Sequence, residues 1–461
     1  MADRAKQGRV ENTVNIRKIA LDVLLQIMEE GVFCHIALHQ ALSKREEIVQ
    51  RDRNFLTRLV EGTVERAIEM DYIIDLYSKV KVRKMKPVIR NILRMAVYQI
   101  LYMEQVPDSA ACNEAVKLVA KWKLSNLKGF VNGVLRTIVR SKETISYPDE
   151  KKNRQRALSV RYSMPEWIVS FLQKEYGLKR AESIMEAFLC NDHTVTIRRN
   201  ISRCTKEELE SFLQNDGVEL KDGKLLPYAY TLSGGKSLTE LEAFQKGFFQ
   251  VQDESSMLVG QIASPKKDDV VFDVCAAPGG KSLHCADILA GSGHVLSMDI
   301  TEKKTALIQE NASRLSFTNV ETRVMDATVF CEELSEKADV IIADLPCSGL
   351  GVIGKKCDIK YKTQESDISS LAQIQRNILK NVISYLKPGG TLVFSTCTIA
   401  SDENIRNVEW ITKNLPVTPV SIEEELPLPL KGLTGKEGYL QILPDMAGTD
   451  GFFIAKFIKR K

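Results

Sequence analysis

No apolar run in the sequence approaches the ~18 residues that a membrane-spanning helix needs. The opening residues, Met1-Ala2-Asp3-Arg4-Ala5-Lys6, lack the apolar stretch of a secretory leader. None of the ten cysteines stands in a Cys-x-x-Cys pair, and the five histidines are scattered. These absences argue against a membrane protein, a secreted protein and a zinc site. A soluble, cytoplasmic, metal-free protein with reduced thiols is expected. Hydrophobic residues make up 44% and charged residues 27%, which excludes a disordered or collagen-like chain. A length of 461 residues allows about three domains.

Charge is unevenly divided. Residues 1–145 hold 25 Lys and Arg against 17 Asp and Glu, a balance of +8, while the remainder hold 39 against 43, or −4. A basic N-terminal third points to a polyanion-binding module, with a solvated helical surface as the plainer alternative. That third reads as helices. Ile16, Ile19, Ala20, Val23, Leu24, Ile27 and Met28 recur at three and four residues. Ile89, Ile92, Leu93, Ala96, Val97, Ile100 and Leu101 repeat the pattern after Pro87, and further helices are expected over residues 113–122 and 127–139. Basic residues from Lys79 to Lys86 belong to an outer face. Residues 141–165 read as a polar connection. Two helices, over 166–176 and 179–189, should lead into a small α+β segment with a strand at Thr194-Val195-Thr196-Ile197-Arg198.

From about Val270 short apolar strands alternate with helices. Strands are expected at residues 270–274, 294–299, 322–326, 338–343 and 390–395, with a late one at 452–457. That alternation means a doubly wound α/β sheet, whose ligands sit at the carboxyl ends of the strands. Polar residues gather at those ends. Cys275-Ala276-Ala277-Pro278-Gly279-Gly280-Lys281 follows the first strand, and its glycines let backbone approach a ligand closely. This turn is not the Gly-x-Gly-x-x-Gly of dinucleotide binders. Asp299 ends the second strand, where a carboxylate can accept hydrogen bonds from ribose hydroxyls. Asp326 ends the third, and Asp344 ends the fourth, opening Asp344-Leu345-Pro346-Cys347-Ser348-Gly349. The fifth runs into Ser395-Thr396-Cys397-Thr398. Two thiols just past strand ends point to thiolate chemistry; two buried structural thiols are the bland alternative.

These residues make the chain resemble the RNA cytosine-C5 methyltransferase family. The likeness rests on residues 273–281, 344–351 and 395–398, and on Gly247-Phe248-Phe249-Gln250-Val251-Gln252-Asp253-Glu254-Ser255-Ser256. The N-terminal third is similar to the NusB fold of helical RNA-binding factors through Arg51-Asp52-Arg53, Leu59-Val60-Glu61-Gly62-Thr63 and residues 130–136. The resemblance implies a multidomain protein: an all-α NusB-like RNA-binding domain (1–143), a small α+β linking domain (144–246) and an α/β Rossmann-like class I methyltransferase domain (247–461). It implies S-adenosyl-L-methionine on residues 275–281, with Asp299 on the ribose, Asp326 near the adenine, and Asp344 near both the amino acid end and the cytosine. Cys397 would be the nucleophile and Cys347 would serve product release. The implied substrate is 16S ribosomal RNA, naked or early in assembly, taken by a monomer. Two alternatives stay open: the same reaction on tRNA or another rRNA site, and a non-catalytic RNA-binding assembly factor. One departure concerns the loop after the Pro-Cys motif, where Cys357 replaces the family's usual proline. In that loop Lys355, Lys356, Lys360 and Lys362 are read as phosphate contacts, with a solvated loop as the plainer alternative.

Overall fold

The computed structural model describes residues 14–45, 47–190, 194–235 and 237–461. The chain separates into two compact units, Met1–Glu166 and Trp167–Lys461.

The first unit is helical throughout its described residues, with its main helices at Ile16–Met28, Cys34–Ser43, Gln50–Glu65, Ala67–Tyr77, Pro87–Tyr102, Asp108–Lys121 and Lys128–Ser141. Asn15 starts the first helix by accepting the backbone N–H of Lys18 at 2.8 Å. Pro87 opens the central one, where its missing N–H costs nothing. That helix buries Ile89, Ile92, Leu93, Ala96 and Val97, and its Arg94 makes a two-pronged bond to Asp71 at 2.6 Å on each arm. Lys79, Lys81, Arg83, Lys84 and Lys86 are exposed. The expected polar connection contains a further helix, Arg154–Arg161, which Asn153 caps and which buries Ala157, Leu158 and Val160. Two turns are too short to show a helical period in sequence. This helix keeps the first compact unit going to Glu166, beyond the expected edge at residue 143.

Helical residues Glu166–Leu189, all but the first of them in the second unit, are interrupted at Gly177 (φ 76°, ψ 165°) where the sequence predicts two helices. A four-stranded antiparallel sheet follows: β1 (Val195–Arg199), β2 (Val218–Asp222), β3 (Ala229–Gly234) and β4 (Phe249–Val251), in the order β2-β3-β1-β4. Because β4 pairs with β1, this sheet extends past residue 246, the expected end of the linking segment.

The larger sheet contains β5 (Val270–Asp273), β6 (His294–Asp299), β7 (Val320–Val324), β8 (Ala338–Asp344), β9 (Leu386–Thr396), β10 (Val417–Pro419), β11 (Tyr439–Ile442) and β12 (Phe452–Lys459). Its order is β10-β12-β9-β8-β5-β6-β7, with β11 also paired to β12. Strands β5 to β9 are mutually parallel, and the last three pair antiparallel. Neighbouring residues of one strand enter opposite cores. Val271, Val295 and Ile342 pack on one face, and Phe272, Leu296 and Ile341 on the other. Burial on both faces is why these strands read as unbroken apolar runs. Strands β10 and β11 are absent from the sequence reading, being three and four residues long. The order of strands reverses between β5 and β8, so a crevice opens at their carboxyl ends.

Candidate active site

The turn after β5 is fixed by its neighbours. Ala276 N–H donates to the Met298 carbonyl at 2.8 Å, and Ala277 N–H to Asp299 Oδ2 at 2.9 Å. Gly279 sits at φ 101°, where a side chain would be strained, and the helix Gly280–Leu289 starts immediately after it. Asp299 is buried, and its Oδ1 accepts from Ile300 N–H at 2.8 Å and Lys304 Nζ at 2.9 Å. Asp326 lies two residues beyond the end of β7 rather than on the strand. Its Oδ1 accepts from the Thr328 N–H and hydroxyl at 2.9 and 2.7 Å.

Two cavities flank the crevice. One, of about 440 Å³, meets Asp299, Asp326, Asp344, Cys347, Cys397 and Ile378. The other, of about 460 Å³, meets Gln252, Asp253, Lys281, Lys356 and Asp450. Cys275, Ala277 and Asp344 belong to both, while Ala276, Pro278, Gly280 and Lys281 face the second. The structure therefore brings the expected acids and thiols together, and spreads the glycine turn between two cavities.

Asp344 is held from two sides. Lys281 Nζ donates to Oδ2 at 2.6 Å, and Ser395 Oγ to Oδ1 at 2.8 Å. Burial pulls the Lys281 ammonium down, but Asp344 more than offsets it, so its pKa lies above the usual lysine value. The two thiols face each other, with Cys347 Sγ 3.3 Å from Cys397 Sγ. Their surroundings differ. The bond to Cys347 lowers the Cys397 pKa against burial and the negative charge of Asp344, helped by the positive charges of Lys356 and Lys281. That same bond raises Cys347, together with burial and the negative charges of Glu403 and Asp344. The surroundings therefore favour the thiolate at Cys397 over Cys347.

The lysine-rich loop corrects the sequence reading. Lys360 is only 1% exposed, and Lys362 pairs with the buried Asp358 at 2.7 Å. Lys355 is bonded to Asp253 and Asp450. These three are committed within the protein, which leaves the exposed Lys356 free of such a role in the loop. Cys357, at the proline position, is buried in a run of tight turns, with the N–H groups of Lys355 and Lys356 both donating to the Val352 carbonyl. Sequence reasoning missed the Lys281–Asp344 pair and the buried Glu403 and Gln375 behind the thiols. Gln375 had a signal: it lies four residues from both Leu371 and Leu379, on the apolar stripe of its helix.

Comparison with known proteins decides the family. The chain is 37% identical to the probable ribosomal RNA small subunit methyltransferase B of Bacillus subtilis, over 97% of this chain and 99% of that one. It belongs to the ribosomal RNA small subunit methyltransferase B family. Within this family assignment, residues 261–458 match the model of 16S rRNA methyltransferase RsmB/F, a SAM-dependent family. Residues 14–140 match the NusB family, and residues 164–239 the ferredoxin-like domain of RsmF/B-like methyltransferases. The crystal structure of PH0851 has the same fold, with a TM-score of 0.81 at 24% identity over 97% of this chain and 98% of that one. NSun6 from Pyrococcus horikoshii, solved with SFG, an analogue of S-adenosylmethionine, gives 0.57 at 24% identity over 64% and 98%. Among the described residues no helix is long and apolar enough to cross a membrane, and no cluster could hold a metal ion.

Proposed function

We propose that this chain methylates carbon 5 of a cytosine in 16S ribosomal RNA, in the cytoplasm and as a monomer, through a covalent bond between Cys397 and carbon 6. The observation that carries this reading is the facing thiol pair beside Asp344 and Lys281 at the strand-order reversal. The first cavity suits S-adenosylmethionine. Its Asp299 carboxylate keeps acceptor capacity for one ribose hydroxyl beyond the three donors it already takes. Ile300, Met325, Ile374 and Ile378 give it an apolar lining for an adenine beside Asp326. When bound there, the cofactor supplies an electrophilic methyl group.

The protein's task is to make carbon 5 reactive, since that carbon is a poor nucleophile. Cys397 thiolate adds to carbon 6, and the ring becomes an enamine with electron density on carbon 5. Asp344 accepts a hydrogen bond from protonated N3 or from the exocyclic amine, with Lys281 and Ser395 holding it in place. After methylation carbon 5 must lose its proton, and the electron pair left behind expels Cys397. Cys347, next to that sulfur, serves this release. The basic helical unit holds the RNA through phosphates, and Lys356 adds a contact beside the second cavity.

Incubation with naked 16S RNA and labelled S-adenosylmethionine, followed by bisulfite mapping, tests the reading. A label confined to carbon 5 of a discrete cytosine is expected. A label on ribose or adenine, or transfer to tRNA alone, contradicts it.

A further inference from the structure

Behind the two thiols lies a buried set of polar groups that the chemistry above does not use. Glu403 is 0% exposed. Its Oε2 accepts from the backbone N–H of Ser348 and from Gln375 Nε2, both at 3.0 Å, and its Oε1 from Ser348 Oγ at 2.5 Å. Gln375 Nε2 also donates to the Pro346 carbonyl at 2.9 Å, so the residues on both sides of Cys347 are tied to one anchor. The Ser348 hydroxyl lies 2.7 Å from Thr398 Oγ1, which joins that anchor to the residue after Cys397. The anchor is itself braced. Asn407 Nδ2 donates to Gln375 Oε1 at 2.6 Å and to the Glu403 carbonyl at 3.1 Å. Asn404 Nδ2 donates to the Thr398 carbonyl at 3.0 Å, and its Oδ1 accepts from Thr396 Oγ1 at 2.6 Å. The turns also meet directly, Gly351 N–H donating to the Cys397 carbonyl at 3.1 Å.

Stability alone does not account for an acid in this place. A buried carboxylate is costly even when donors surround it, and a well-packed apolar residue often serves stability as well or better. What a satisfied network adds is one defined geometry. Two thiols that must add and release at the same ring need that definition to within about half an ångström.

We propose that Glu403 is the positioning residue of the thiol pair: its carboxylate clamps the Pro346–Ser348 turn and, through Ser348, sets Cys347 against Cys397. The proposal rests on the reading that these are the reacting thiols. Its test therefore includes a readout that does not depend on methyl transfer.

The full-length protein is treated with diamide, a two-electron oxidant that takes two protons and two electrons from a thiol pair and is reduced to the hydrazine. Peptide mapping then follows the Cys347–Cys397 disulfide against the background of the other cysteines. In the parent protein the pair should close fast. In Glu403→Gln, where one carboxylate oxygen becomes an N–H₂ and the Ser348 hydroxyl must turn from donor to acceptor, closure should be at least fivefold slower, while affinity for S-adenosylmethionine by calorimetry stays within twofold. Turnover on 16S RNA should fall at least tenfold, with a larger fraction of enzyme trapped on RNA, because release relies on Cys347. Ser348→Ala removes the hydroxyl that bonds both Glu403 and Thr398 but keeps the Ser348 N–H bond to Glu403, and should give the same pattern more mildly; it decides the matter if the Gln variant does not fold. Unchanged disulfide closure in the folded variant overturns the proposal. Slower closure with no effect on any methylation would leave the positioning role standing and overturn the reading of the thiols as the reacting groups.

Discussion

Cys347 and Cys397 carry the same side chain within one hydrogen bond of each other and share Asp344 as a neighbour, yet their turns are built differently. Cys397 follows directly on the long central strand β9, and Lys281 and Lys356 place positive charge near it. Cys347 sits in a turn tied to Glu403, with negative charge from Glu403 and Asp344 near it. The bond between the thiols is the largest influence on each, lowering Cys397 and raising Cys347; Asp344 raises both, Glu403 raises Cys347, and the two lysines lower Cys397. Identity of residue type does not separate the two; the groups around each sulfur do.

The first way to break this comparison is to remove the sulfur read as the nucleophile. Cys397→Ala should reduce methyl transfer by on the order of 10⁴-fold or more, measured with tritiated S-adenosylmethionine, since the sulfur that adds at carbon 6 is gone. Activity within tenfold of the parent would break it.

Asp299→Ala serves as a control that leaves both thiols alone. Loss of charge-assisted hydrogen bonds costs about 1.5–3 kcal/mol, so cofactor affinity by calorimetry should drop roughly 10- to 100-fold. Its pH–rate profile should keep its shape at saturating cofactor. An unchanged affinity would remove Asp299 from the cofactor site.

Lys281→Met sharpens the contrast. Asp344 is 28% exposed, so losing its partner should slow transfer only about tenfold. The pH profile is the stronger readout. Lys281 favours the Cys397 thiolate, so its loss raises that thiol's pKa. The rising limb of kcat/KM against pH should then move to higher pH, with proportionally greater loss of rate on the acid side. A limb that stays put, or moves down, contradicts the assignment.

The smallest effect belongs to Lys356→Ala. This exposed charge also lowers Cys397, but solvent screens it. A twofold to threefold loss is expected, more evident in low salt than in high, together with a small upward move of the same limb. Loss that is equal at both salt concentrations would separate Lys356 from electrostatics.

Much of this was legible from sequence for a physical reason. Parallel strands buried on both faces announce themselves as apolar runs, and the strand ends then locate Asp299, Asp344, Cys347 and Cys397 without any structure. Asp326 fell two residues from its expected place because β7 is half-buried and carries little periodic signal. The helix Arg154–Arg161 and the strands β10 and β11 are too short for periodicity to register. What the sequence hid most thoroughly is pairing at a distance. Lys281 and Asp344 are 63 residues apart, and Ser348 and Glu403 are 55 apart. Composition misled at Lys360: four nearby lysines read as a basic loop, yet one is buried and two are committed to carboxylates.

The division of labour between the thiols can be tested most directly with Cys347→Ala, incubated with 16S RNA and S-adenosylmethionine and run on a denaturing gel. Addition and methylation remain possible while release is impaired, so a slow-migrating, RNase-sensitive band of enzyme joined to methylated RNA should accumulate. It should be absent from Cys347→Ala/Cys397→Ala. A band that forms instead with Cys397→Ala and an intact Cys347 would reverse the roles, and full turnover with both cysteines replaced would contradict covalent catalysis altogether.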